Sequence, residues 1–404
     1  MPLLPRAPRR LSSIFGALGP LALVVAAYLV IPDESSAQRV QPAAPAAAPQ
    51  EVVAIEAPLI PLPPEGESAD VTRFSFIVYG DTRGRRDGVD IQYEHSLVVE
   101  SMLRTIASLR AGPDPVRFVL QSGDAVVNGR DPTQWNVSFV GLINRLTQEG
   151  GIPYFLAPGN HDVTAAADLD SPQRQQGLRN YLSAVSRLIP ADGATRRLDG
   201  YPTYAFGLGN TFVLALDSNI AQDSTQFTWA AAQLAGLDRQ RYAHVIAFFH
   251  HPAYSSGPHG GSRVEGPTAA VRSRWMPLFR EQGVDLLFTG HEHLFEHWTE
   301  RYQDGSGQWR RMDQIVSGGG GAPLYQYRGE PDLRAYLSEG AADSVRVSHV
   351  VRPGPERGDN PHHYVVVHVD GSEVWMDVVG VDWGSNFRPY RSARTTLSGL
   401  AERR

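Results

Sequence analysis

The sequence predicts a mixed α/β fold that ends in antiparallel β-structure. Two observations carry this: short apolar, β-branched runs alternate with helix-period segments, and the last two runs meet at Asp370-Gly371, a hairpin turn signal. In chain order the strand-like runs are FSFIVY (Phe74 to Tyr79), VRFVLQ (Val116 to Gln121), IPYFLA (Ile152 to Ala157), FVLALD (Phe212 to Asp217), HVIAFF (His244 to Phe249), DLLFT (Asp285 to Thr289) and DQIVS (Asp313 to Ser317). YVVVHV and EVWMDVV then form the terminal pair. Among the helical segments are EHSLVVESMLRTIASLR, whose stripe of Val99, Met102, Ile106 and Leu109 faces inward, and QFTWAAAQLAGL.

What precedes the folded part reads differently. Arg6, Arg9 and Arg10 come before an apolar run from Ile14 to Ile31, and Ser35-Ser36-Ala37 then offers the small residues of a cleavage site. Residues 1–37 are therefore expected to be a signal peptide cleaved after Ala37 or a retained membrane anchor, so the protein is expected to be exported, periplasmic or secreted. Residues 38–70 are rich in Pro and Ala and are expected to be an extended linker. The folded domain is expected over 71–385, with a tail over 386–404.

Composition removes several kinds of chemistry. The 404-residue chain is 42% apolar and 20% charged, enough for a sizeable core, and its net charge of −6 provides no basic footprint for nucleic acid. It has no Cys, which excludes thiolate nucleophiles, iron–sulfur clusters and Cys-based zinc sites. Every one of its 37 basic residues is Arg. The absence of Lys excludes a Walker-type phosphate loop and Schiff-base catalysis.

Five polar clusters follow the strand-like runs: Gly80-Asp81, Gly123-Asp124, Gly159-Asn160-His161-Asp162, His250-His251-Pro252 and Gly290-His291-Glu292-His293. Open α/β sheets place their ligands at these strand ends. Carboxylates, imidazoles and an amide oxygen suit divalent Mn, Fe or Zn, and a carboxylate can bridge two metals about 3.5 to 4 Å apart. Taken singly, Asp81 or Asp124 could be a helix N-cap and Gly159-Asn160 a turn.

As an ordered set, GD, GD, GNHD, HHP and GHEH resembles the calcineurin-like metallophosphoesterase superfamily over roughly Arg73 to Asp382. YAFGLGNTFVLALDSN and QLAGL further resemble its purple acid phosphatase-like branch. That resemblance implies a four-layer α/β/β/α sandwich of two mixed sheets flanked by helices, and hydrolysis of a phosphoric monoester or diester by a metal-activated hydroxide. Carried over residue by residue, it implies that Asp124 bridges two divalent ions, with Asp81 and His293 at the first and Asn160, His250 and His291 at the second. His161 would be the acid or electrostatic stabiliser and Asp162 its orienting partner. His251 is expected to line the cleft, and His259, in the loop from Ser255 to Gly261, to meet substrate if that loop is a lid.

One position departs from the family pattern. Where a His ligand is common, two residues past the first Asp, this chain has Arg83, which offers no lone pair. Arg83 then contacts the substrate phosphate, or His95 supplies the missing ligand, or the first site is weak. The last option leaves a second functional reading, a non-catalytic metal-binding envelope protein. The run Gly318 to Gly321 either approaches a phosphate or packs closely against other backbone.

Overall fold

The β-branched and aromatic runs pair into two sheets. The computed structural model describes residues 50–164, 169–260, 264–337, 343–355, 359–381 and the backbone of 395–396. In chain order the strands are β1 Arg73–Tyr79, β2 Val116–Gln121, β3 Tyr154–Leu156, β4 Tyr204–Leu208, β5 Thr211–Ala215, β6 His244–Phe248, β7 Leu286–Thr289, β8 Phe295–Gln303, β9 Trp309–Ser317, β10 Val345–Val351, β11 His362–Asp370, β12 Glu373–Val381 and β13 Thr395–Thr396. One sheet has the order β13-β12-β11-β1-β2-β3 and the other β10-β8-β9-β7-β6-β5-β4. Both sheets are mixed. β1, β2 and β3 run parallel, as do β5, β6, β7 and β9, while the hairpin β11-β12 closes onto β1 antiparallel.

The inner faces of the sheets pack against each other through Phe74, Phe76, Phe118 and Val365 on one side and Ile246, Phe248, Phe288 and Ile315 on the other. Phe76 stacks on Phe118 with ring centroids 4.9 Å apart and meets Phe288 of the other sheet edge-on at 5.9 Å. On the outer face of the first sheet lie the helices Tyr93–Leu109 and Pro172–Val185, which bury Val99, Met102, Ile106, Tyr181 and Val185. The helices Ser224–Ala235 and Met276–Gln282 cover the second sheet through Leu234 and Phe279. Helix, sheet, sheet and helix make the four-layer α/β/β/α sandwich.

Three differences from the sequence reading matter. β8 and β10 were not among the expected strands. FEHWTERYQ carries four charged or imidazole side chains, yet Glu296 accepts from Ser255 and Ser256, His297 bonds Asp313, and Glu300 pairs with Arg280. Partners that are distant in sequence make that burial tolerable.

The second difference is the expected linker. From residue 50 onward it is packed against the domain: Ile55 is buried in the core beneath the first sheet, and the backbone N–H groups of Ile55, Leu59 and Ile60 donate to Ala184, Thr147 and Gly151. Glu65, in the short helix Glu65–Ser68, pairs with Arg196. The Pro residues there keep the backbone extended without preventing these bonds, so the folded part starts near Glu51 and not at Val71. Third, the tail contributes an edge strand, since Thr395 and Thr396 pair with β12. The proposed signal or anchor, and the linker up to residue 49, lie outside the described residues. Among the described residues no helix is long and apolar enough to cross a membrane.

Candidate metal centre

All five clusters converge at one end of the sandwich. Asp81, Asp124 and Asn160 follow the parallel neighbours β1, β2 and β3, and His250, His291 and His293 follow β6 and β7 of the facing sheet. The strand ends are tied together, because Asp81 N–H donates to Gly123 O at 2.9 Å and Gly290 N–H to His250 O at 3.0 Å. Among the described residues only four non-glycine residues have positive φ, and three are Asp81, Asp124 and His291, at 59°, 56° and 69°. Such backbone is costly for residues with a Cβ and is retained where it aims a side chain. At Gly159 a Cβ would lie 2.1 Å from Asp124 Oδ1, so only glycine lets the carboxylate approach.

The donor atoms form two adjacent groups. Asp81, Asp124 and His293 make one, with ligand atoms all within 4.8 Å of one another. His293 donates from Nδ1 to Pro323 O at 2.7 Å, which leaves the Nε2 lone pair facing Asp81 Oδ1 at 3.5 Å. The other group surrounds His250 Nε2, which lies 2.9 Å from Asn160 Oδ1, 3.1 Å from His291 Nδ1 and 3.4 Å from Asp124 Oδ1. His250 Nδ1 is bonded to Ser122 O at 3.0 Å, so its proton points away from that cluster. Four acceptor atoms facing one another without an intervening proton fit a divalent cation. Asp124 belongs to both groups: Oδ1 faces His250 and Oδ2 faces Arg83, which is the placement a bridging carboxylate needs.

The electrostatics follow from this crowding. Burial pushes Asp124 up, but the neighbouring His250, His161 and Arg83 outweigh it and hold the carboxyl well below its ordinary range. Burial and the repulsion of Asp124 push Asp162 far up. His250 and His251 are held neutral by burial.

The remaining expected residues divide. Asn160 and His161 open the short helix Asn160–Val163, where His161 N–H donates to Asp124 Oδ1 at 3.0 Å. The His161 ring is partly exposed at the rim, with Nδ1 on Val127 O at 2.7 Å and Nε2 4.0 Å from Asp124 Oδ2. Asp162 does not orient that ring. Its oxygens accept the backbone N–H groups of Gly159, Ala125 and Val126, locking two ligand loops together, because a buried carboxylate satisfies the nearest orphan amides. His251, expected to line the cleft, is 1% exposed and bonds Ser218 Oγ through Nδ1, with its ring 4.5 Å from that of His291. It backs the metal ligands. His259 is at the cleft, half-buried, with its ring 4.5 Å from His291 and its backbone N–H on Glu292 Oε1 at 2.8 Å. The loop up to Gly260 is fastened by Glu292 and Glu296, while 261–263 lie outside the described residues.

Arg83 stands in the first group. Its Nε lies 3.3 Å from Asp124 Oδ2 and its Nη2 3.3 Å from His293 Nε2. His95 does not replace the missing ligand: it is buried, its nitrogens bond Tyr79 OH and Gln92 Oε1, and neither partner is a backbone carbonyl. The glycine run packs closely against backbone, since Gly320 N–H donates to Gly80 O and a Cβ there would lie 2.4 Å from that oxygen. Sequence reasoning missed Glu265, which bonds His291, and Tyr325, which stacks on His293 at 4.1 Å. Neither follows a strand or sits in a ligand-like motif, so no sequence signal marked them.

The profile of the calcineurin-like phosphoesterase family matches residues 75–295, more than half of the chain, and the protein belongs to that family. Purple acid phosphatase 18 of Arabidopsis thaliana is 32% identical over 120 residues, 29% of this chain and 26% of that protein. Serine/threonine-protein phosphatase CPPED1 of Rattus norvegicus is 24% identical over 225 residues, 53% of this chain and 62% of that protein. Among solved structures, purple acid phosphatase PPD1 from yellow lupin (Lupinus luteus) seeds shares the fold with a TM-score of 0.58 at 18% identity, covering 82% of this chain and 54% of that one. The chain thus spans less than two thirds of each of these proteins.

Proposed function

We propose that this protein hydrolyses phosphoric esters at a dinuclear centre held by Asp81, Asp124 and His293 on one side and Asp124, Asn160, His250 and His291 on the other. The observation that carries the proposal is Asp124, whose two oxygens face the two donor groups. Divalent ions, when bound, activate a water for attack on phosphorus and neutralise the phosphoryl oxygens. The protein supplies the rest. His161, with Nδ1–H directed to Val127 O, carries its mobile proton on Nε2, at the exposed rim. As the water oxygen bonds to phosphorus and the ester oxygen departs, Nε2 gives that oxygen its proton, and the proton released by the water restores the imidazolium. Arg83, 18% exposed on the same rim, presents a planar fork suited to a phosphoryl group. The N-terminal apolar run supports placing this reaction outside the cytoplasm, possible to check by fractionating cells that express the full chain.

The test is hydrolysis of a paired aryl phosphate monoester and diester in added Mn²⁺, beside Asp124→Asn and His161→Ala. Turnover should vanish in Asp124→Asn and fall by about 10²- to 10⁴-fold in His161→Ala with metal retained. The alternative reading, a metal-binding envelope protein, draws on Arg83 among the first group's donors. Metal binding with no turnover on either ester would favour it.

A further inference from the structure

We infer that Glu265 is a positioning residue for the metal ligand His291: it holds the proton of His291 Nε2 and so keeps the Nδ1 lone pair free for the metal. The inference rests on the metal-centre reading above, though not on turnover.

Each of the three ligand histidines must present one unprotonated nitrogen, so each needs a partner for the proton on the other. His250 directs Nδ1 to Ser122 O and His293 directs Nδ1 to Pro323 O, both backbone carbonyls supplied by the strand-end loops. His291 is the exception. Its Nδ1 faces His250 Nε2 at 3.1 Å, inside the donor cluster, and its Nε2 lies 3.0 Å from Glu265 Oε2.

That carboxylate comes from outside the strand-end framework. Glu265 immediately precedes the short helix Gly266–Ala270, in the connection between β6 and β7, and its side chain is 40% exposed while His291 is nearly enclosed. A carboxylate does two things that a carbonyl does less well: it fixes the Nε2–H tautomer and adds negative charge behind the ligand, which raises its basicity. Without it, His291 is free to carry its proton on Nδ1, directed at the very atoms that should receive a cation. His259 packs on the other side of the ring at 4.5 Å, so the imidazole is held between the loop and the centre. The connection from Ser255 to Glu265 is thereby coupled to metal affinity through one hydrogen bond.

His259, Glu265 and His291 also lie close enough to hold an ion themselves. The experiment separates the two roles. Metal-free full-length protein is titrated with Mn²⁺, with bound and free ion counted by electron paramagnetic resonance, for wild type, Glu265→Ala and Glu265→Gln. Glu265→Ala should keep the wild-type stoichiometry and weaken one class of site by about 10- to 100-fold. Glu265→Gln, which keeps an oxygen acceptor, should recover most of that affinity. Unchanged affinity in Glu265→Ala overturns the inference, and so does loss of a whole equivalent, which would make Glu265 a direct ligand. A second measurement needs no variant: ¹⁵N-histidine spectra of the zinc-loaded protein should show His291 protonated on Nε2, and the opposite tautomer refutes the assignment. Wild type that binds no metal would sink both this inference and the hydrolase reading. Metal binding without hydrolysis would sink only the latter.

Discussion

Arg83 brings a permanent cation to within 3.3 Å of both Asp124 and His293, two of the three donors of the first group. A guanidinium and a divalent ion compete for those lone pairs, and only the ion can be displaced by dilution. Replacing Arg83 by Ala is therefore expected to tighten the weaker class of Mn²⁺ site. It should also raise KM for the phosphoester more than it lowers kcat, because a contact equal in ground and transition states acts on binding. Metal titration and steady-state kinetics read the two effects separately, and a variant with unchanged metal affinity would show that the guanidinium does not compete. At this scale the sequence was most legible where a ligand directly follows a strand and a glycine, as at Asp81, Asp124 and His291. It was least legible for partners chosen by space. Asp162 was expected on a side chain and bonds three backbone amides; His95 was weighed as a ligand and bonds Tyr79 and Gln92.

β8 shows how an element can hide its buried face. Its inward side presents Glu296, with Ser255, Ser256 and Trp298 donating to the carboxylate and His349 of β10 at 3.5 Å. Burial nevertheless raises the Glu296 pKa from 4.5 to about 7. The folded protein therefore binds this proton more tightly than the unfolded chain, so stability falls as pH rises between about 4.5 and 7, by up to about 3 kcal/mol. Glu296→Gln does not titrate there. Urea melts at pH 5 and pH 8 should show the advantage of wild type over this variant shrinking at the higher pH, and a constant difference would contradict the assignment. β10 was readable in principle, since VRVSHVV buries Val345, Val347 and His349 in strict alternation. β8 was not, because Glu, His and Glu on a buried face acquire partners only from other elements.

For the whole molecule, the segment from Glu51 to Asp70 is the clearest case of tertiary override. Ile55 is fully buried under the first sheet, and Asn136 and Asn144 accept the N–H groups of Val53 and Glu56. Ile55→Ala is expected to cost about 2–5 kcal/mol in urea unfolding, and a chain starting at Val71 should melt at lower temperature than one starting at Gln50. Equal melting of the two chains would restore the reading of this segment as a linker. The sequence by itself determined the α/β class, the strands that bear the ligands and the ligand residues that meet at the centre, because period-two burial and glycine-bounded strand ends are local properties. Tertiary structure alone decided that residues 51–70 belong to the domain, that Arg83 lies among the first group's donors and that Glu265 reaches His291. Those contacts join segments up to 210 positions apart, as Arg83 to His293 does, and close approach at such separations is set by how two sheets pack, which no local pattern encodes.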